Sequence, residues 1–198
     1  MTRSAAQGAP VGGSPCASAP GILTFIIADM AIFGVLFIAF MVERSRQVPL
    51  FDRSSATLNV RLGLLNTLIL VTSGLCVVLA VHAARLGRSV PTRRWLALSF
   101  AVGAGFAVSK ASEYGEKFAH GINMLTNDFF MFYFVLTGVH FVHFLAGMAV
   151  LALLWFRAAR EPVDGPLFGW IESGGLYWHM VDLLWLVIFP LLYLVGPR

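Results

Sequence analysis

Three pairs of ionisable residues stand three positions apart in otherwise apolar stretches of the chain: Lys110 with Glu113, His140 with His143, and His179 with Asp182. On a helix that spacing projects both side chains from one face. Such a pair could offer two ligands to a metal or haem, hand a proton along a relay, or grip a neighbouring helix by hydrogen bonds. A lone acid, Asp29, completes the set. The Glu-x-x-His spacing of helical di-iron sites is absent, which weakens the metal reading. The structural reading, in which each buried ion or imidazole pairs with a neighbour and sets helix register, has the better physical footing.

These residues lie in a chain of 198 residues that is 58% hydrophobic and 12% charged, with a mean hydropathy of +0.80. The sequence therefore predicts an all-α, polytopic membrane protein. About 20 apolar residues are needed to cross roughly 30 Å of hydrocarbon, and five stretches qualify: Ile22 to Val42, Leu62 to Ala84, Trp95 to Glu116, Phe129 to Phe156, and Leu167 to Val195. The five-helix domain is thus expected over 21–198. It follows a 1–20 tail that is rich in Ala, Gly, Ser and Pro and expected to be disordered. That tail lacks the short apolar core and cleavage site of a secretory signal, so retention of the N-terminus is expected. The connecting segments are too short for a soluble catalytic domain or a nucleic-acid surface. Cys16 and Cys76 make neither a disulfide framework nor a thiolate metal site.

Orientation rests on the loops. With the N-terminus inside, Arg3, Arg85, Arg88, Arg93, Arg94, Arg157 and Arg160 face the cytoplasm, against Arg44, Arg46, Arg53, Arg61, Lys117 and Arg198 outside. The bias is small, but the loop between the second and third spans holds four arginines and no acid, the pattern of a cytoplasmic loop. The N-terminus is therefore expected on the cytoplasmic side of the membrane and the C-terminus outside.

Counting at about 1.5 Å per residue brings Asp29, His140, His143, His179 and Asp182 to the middle third of the bilayer. Lys110 and Glu113 fall near the outer headgroups and are expected to snorkel. A charged, unpaired acid at mid-membrane costs several kcal/mol, so Asp29 is expected to be protonated or hydrogen-bonded. His140 with His143, and His179 with Asp182, are expected to make interhelical hydrogen bonds. In the third span Ala101, Gly105 and Ser109 repeat at four-residue intervals on one face, and Ala107, Ala111 and Gly115 on another. Such small residues permit close helix approach. The run Phe129-Phe130-Met131-Phe132-Tyr133-Phe134 is aromatic all round, suited to an interfacial belt or an interhelical contact.

Five ordered motifs resemble the subunit III family of the haem-copper oxidases, the cytochrome c oxidase type. They are Ala28-Asp29-Met30 with the Phe-containing run to Phe37; Leu65-Asn66-Thr67 with Ser73; Glu113-Tyr114; Thr137-Gly138-Val139-His140-Phe141-Val142-His143 with Gly147; and Tyr177-Trp178-His179-Met180-Val181-Asp182-Leu183-Leu184-Trp185. Each motif is weak alone, but their order over nearly the whole apolar region is specific. The chain looks like the short form of the family, which lacks the leading helix pair of the long form. The run from Phe129 to His140 is most similar to the branch that accompanies nitric oxide reductase.

The resemblance implies an accessory subunit with no redox cofactor of its own, haem and copper residing in partner subunits. It implies a catalytic subunit I of an oxidase or nitric oxide reductase as partner, together with subunit II, and phospholipid held against the helices. It also implies support for assembly and for proton uptake over many turnovers. Asp29 stands where the family usually has a carbodiimide-reactive glutamate, and its side chain is shorter by roughly 1.5 Å or less. Lys110 stands where an uncharged polar residue is usual. Asn66, Lys110, Glu113, His140, His143, His179 and Asp182 are then structural or lipid-contact residues, and Asp29 the buried carboxylate tied to proton uptake. A membrane-embedded metal enzyme and an independent proton or ion channel are the alternatives.

Overall fold

Inside hydrocarbon no water can satisfy backbone amides and carbonyls, so apolar runs of this length adopt the one local structure that pairs them all internally. A computed structural model describes residues 19–195. It contains α1 (Ala19–Arg46), α2 (Val48–Ser55), α3 (Val60–Arg85), α4 (Ser89–Ala119), α5 (Asp128–Arg160) and α6 (Gly165–Tyr193). Five of these are long and apolar enough to cross a membrane, in agreement with the expected number. The tail, apart from its last two residues in α1, lies outside the described residues, as do Arg3, Cys16 and Arg198.

The helices overrun the apolar windows because polar residues cap and extend them. Asn59 accepts from the Leu62 amide at 3.2 Å, and Asn127 from the Phe130 amide at 2.9 Å, so each satisfies an amide that the first turn leaves free. α3 and α4 both end on a left-handed glycine, Gly87 at φ 66° and Gly121 at φ 72°. Beyond these, Arg88 donates to the Ala83 carbonyl and Ile122 to that of Lys117, the paired closure that satisfies final-turn carbonyls. α2 was not foreseen. Pro49 opens it, Phe51 is buried, and it packs against α1 and α5. Arg44 of α1 reaches both Asp52 (3.1 Å) and the Val195 carbonyl (2.7 Å), tying this end of the molecule together.

Successive long helices run antiparallel. α3, α4, α5 and α6 each pack on the next, α6 returns to α3 to close a four-helix ring, and α1 lies against α5 and α6. The centre is aromatic: Trp178, Trp185, Tyr133, Phe106 and Phe144 are fully buried. α3 and α4 are joined where Ser73 and Ser99 bond each other's carbonyls at 2.9 and 3.1 Å. Gly103 is buried beside them, 3.4 Å from Ser73 measured from an added Cβ. The small-residue faces expected from Ala101, Gly105, Ser109 and from Ala107, Ala111, Gly115 are used only in part, Gly105 lying against Ile69 of α3 and Ala107 packing on the core. Ala101, Ala111 and Gly115 are exposed, because the buried face of α4 follows Leu96, Ser99, Gly103, Phe106 and Lys110. The aromatic run is mainly interhelical, with Phe129, Phe130, Tyr133 and Phe134 buried.

Candidate functional site

α4 carries Lys110 and Glu113 into the bundle rather than toward headgroups. Lys110 is fully buried and Glu113 is 4% exposed, which corrects the expectation of snorkelling. The physical reason is lateral cover: α5 and α6 enclose that part of α4 with Tyr133 and Tyr193. The Lys110 ammonium donates to Glu113 Oε2 at 2.9 Å, to Tyr133 Oη at 3.1 Å and to Tyr193 Oη at 3.1 Å. An ammonium has three donors, and each has found an acceptor. Both tyrosine hydroxyls then donate to Glu113 Oε1 at 2.7 Å. The result is a closed ring across three helices in which one positive and one negative group are mutually compensated, the arrangement that a buried ion pair requires. Four aromatic rings, those of Tyr114, Tyr133, Trp185 and Tyr193, lie within 5.7 Å of the ammonium, close enough for cation–π attraction.

A second polar contact joins α1 to α5. His143 Nε2 lies 3.0 Å from Asp29 Oδ1, while His143 Nδ1 lies 2.8 Å from the Val139 carbonyl oxygen. A carbonyl can only accept, so Nδ1 carries a proton. Nε2 is thereby left facing the carboxylate oxygen of Asp29, an ion-pair contact when the imidazole is protonated at both nitrogens. Asp29 is 7% exposed, and Phe33 lies edge-on to the imidazole. Tyr177 donates to the His143 carbonyl at 3.0 Å, so α6 fixes this turn of α5. Asp29 Oδ1 thus has a neighbour, His143, that spacing alone did not identify, while its buried Oδ2 has no hydrogen-bond partner among the described residues.

The two histidines of α5 therefore part company. His140, fully buried, bonds the Val181 carbonyl of α6 through Nε2 at 3.1 Å and packs against Phe106 and Trp185. That bond is interhelical, as expected, but it does not involve His143. On α6, His179 Nδ1 is 3.7 Å from Asp182 Oδ2, too far for a hydrogen bond, and both residues belong to the same helix. The expected interhelical bond is absent there among the described residues. Asp182 instead fits against Gly74 of α3, where any Cβ would collide with its carboxylate. Asn66 is fully buried, and its amide makes no hydrogen bond among the described residues. No three His, Cys, Asp or Glu side chains among the described residues converge as metal ligands would.

Sequence reasoning missed the roles of Tyr133 and Tyr193, the hydroxyls that complete the Lys110 ring, and the pairing of the motif residues Thr137 and Tyr114 at 2.7 Å. The signal for Tyr133 was present: it is the single hydroxyl in a run of phenylalanines, and a buried tyrosine hydroxyl needs a partner. Tyr193 carried no such signal, being 80 residues from Glu113. Lys117 was assigned to the outer loop by charge counting, yet it is 8% exposed and lies over the rings of Phe130 and Tyr133.

Comparison with known proteins gives this constellation its setting. The family model described as cytochrome c oxidase subunit III matches residues 17–197. Cytochrome c oxidase subunit 3 of Synechocystis is 31% identical over 179 residues, covering 88% of this chain and 74% of that protein. Cytochrome c oxidase subunit 3 of Corynebacterium diphtheriae is 27% identical, covering 88% and 86%. Quinol oxidase subunit 3 of Bacillus subtilis is also 27% identical, covering 89% and 86%. With nearly every described residue inside the match, and with the motifs around Asp29, Glu113, His140 and His179 falling on the polar contacts of the bundle, the chain belongs to the cytochrome c oxidase subunit III family.

Proposed function

We propose that this multi-pass membrane protein is the accessory subunit of a haem-copper terminal oxidase in a bacterial cytoplasmic membrane, with its N-terminus cytoplasmic and its C-terminus outside. It associates with catalytic subunit I and with subunit II, which carry the haem and copper. Its own contribution is to assembly, to retention of phospholipid against its helices, and to sustained proton uptake. The observation that carries the proton role is the Asp29–His143 contact at 3.0 Å. A carboxyl and an imidazole in contact can pass a proton between them while the pair stays neutral, whereas net uptake or release leaves one charge that a neighbouring subunit or water must compensate. The Lys110–Glu113–Tyr133–Tyr193 ring has the opposite character. All of its strong donors and acceptors are engaged, and it serves to lock α4, α5 and α6 together.

The test is purification through a tag on this chain from its own membranes. Stoichiometric co-elution of oxidase subunits with a haem absorption band supports the reading. Recovery of this chain alone under mild detergent, with no haem-bearing companion, refutes it.

A further inference from the structure

Asp182 and His179 stand out because they line an open groove rather than a closed core. Two adjoining cavities of about 290 and 370 Å³ run between α3 and α6, sharing Val78 and His179. They begin at the Arg85–Glu172 ion pair and reach Leu186. At about 1.5 Å per residue Asp182 is some 26 Å from Gly165 along α6, which has 29 residues, so the groove carries polar groups to mid-membrane. The rims are Val71, Leu75 and Val78 of α3, and Leu176, Leu183 and Leu186 of α6, in alternating steps of three, four and seven residues. That is the ridge spacing into which another helix packs, although any outward helix face shows it.

What separates this face from the rest of the bundle surface is its chemistry. The His179 side chain is 43% exposed at a depth where hydrocarbon offers it no hydrogen bond. Asp182 is 7% exposed, yet its buried Oδ1 accepts no hydrogen bond among the described residues and its Oδ2 lies 3.7 Å from His179 Nδ1. Intramembrane acids face protein or a watered cavity and take a partner there. By contrast, the exposed Thr72 and Ser112 bond the carbonyls of Leu68 and Val108 within their own helices.

We propose that the α3–α6 groove is a docking surface for a transmembrane helix of a haem-carrying companion subunit, which brings a hydrogen-bond donor to Asp182 and His179. This inference rests on the accessory-subunit reading above. It goes further by naming the face, the depth and the kind of side chain that recognises it. The Gly74 hollow that receives the Asp182 carboxylate holds the acid at the base of the groove, where an approaching donor meets it.

The experiment places a photo-crosslinking amino acid at Leu75 or at Leu183 in the otherwise native complex, with Val108 of α4 as a control position that is 68% exposed. The expected result is an adduct from positions 75 and 183 with one oxidase subunit, identified by mass spectrometry as haem-bearing, at least about tenfold above that from position 108. In parallel, Asp182→Leu is expected to reduce the companion recovered per tagged chain about tenfold, and Asp182→Asn, which keeps an acceptor, much less. Adducts with lipid only, with a second copy of this chain, or equally from position 108 would overturn the proposal. If the haem-bearing subunit still co-purifies in that case, the accessory-subunit reading stands and only the docking face is wrong. If no haem-bearing subunit co-purifies with the native chain, the accessory-subunit reading itself fails.

Discussion

Replacing Glu113 with leucine removes the common acceptor of three hydrogen bonds, from Lys110, Tyr133 and Tyr193. The lysine ammonium is left fully buried with two tyrosine hydroxyls and no counter-charge. Breaking one side of a buried pair costs about 3–5 kcal/mol, a factor of roughly 10² to several times 10³ in an unfolding equilibrium. Lys110→Met should cost a similar amount for the converse reason, since it leaves the carboxylate with tyrosine donors alone. The double variant Lys110→Met/Glu113→Leu removes both charges together. It is expected to lose no more than about 2 kcal/mol, because well-packed apolar pairs replace buried ion pairs at little cost. The assay is a double-mutant cycle on the purified complex, read by denaturant titration of this chain's tryptophan fluorescence, with a coupling of at least about 4 kcal/mol expected from those losses. Additive effects, or a loss under about 1 kcal/mol in either single variant, would refute the closed-ring account of how α4, α5 and α6 are joined.

Asp29→Asn keeps a polar side chain beside His143 but cannot share the proton. It should leave initial turnover near normal, shorten the number of turnovers before inactivation, and abolish carbodiimide labelling of this chain. Unchanged endurance and unchanged labelling would count against the proton role. Gly147→Ala places a methyl 2.9 Å from a ring carbon of Trp178, a side chain fully enclosed and unable to retreat. A loss of about 1–3 kcal/mol is expected from overpacking, seen as a lower midpoint in thermal denaturation, and a neutral result would show that α5 and α6 are less tightly apposed. Ser99→Ala removes the hydroxyl that bonds the Ser73 carbonyl at 3.1 Å. The cost should be about 0.6–1.7 kcal/mol, the range of interhelical bonds in membranes, and a loss above about 3 kcal/mol would point to some further role for that side chain.

Much of the fold was legible because hydrocarbon imposes one solution on a long apolar run, and five such runs are plain in the sequence. The short helix at Val48–Ser55 was hidden because it is only eight residues long and owes its place to packing of Phe51 against Phe40 and Phe129. The polar residues of the site were also legible one at a time, since an ionisable group in a greasy span is conspicuous. Their partners were not. Residues three apart share a helical face, but that says nothing about which helix stands opposite. His140 and His143, a turn apart, meet α6 and α1 respectively. Depth along an axis likewise does not reveal lateral cover. Lys110 and Glu113 sit near the end of α4, yet Tyr133 and Tyr193 enclose them. The small-residue repeats of α4 misled for the same reason: four-residue spacing exists on several faces of a Gly- and Ala-rich helix, and only the neighbours decide which face is used.

The central claim is that these acids and imidazoles bind helices together and exchange protons, while the redox centres lie in other subunits. It is tested most directly by measuring haem and copper content, with the reduced-minus-oxidised spectrum, per catalytic subunit in the complex purified with and without this chain. The same metal content and the same spectrum in both preparations, with faster inactivation in the one lacking the chain, is the predicted result. Loss of a stoichiometric haem or copper on removal of the chain would contradict it.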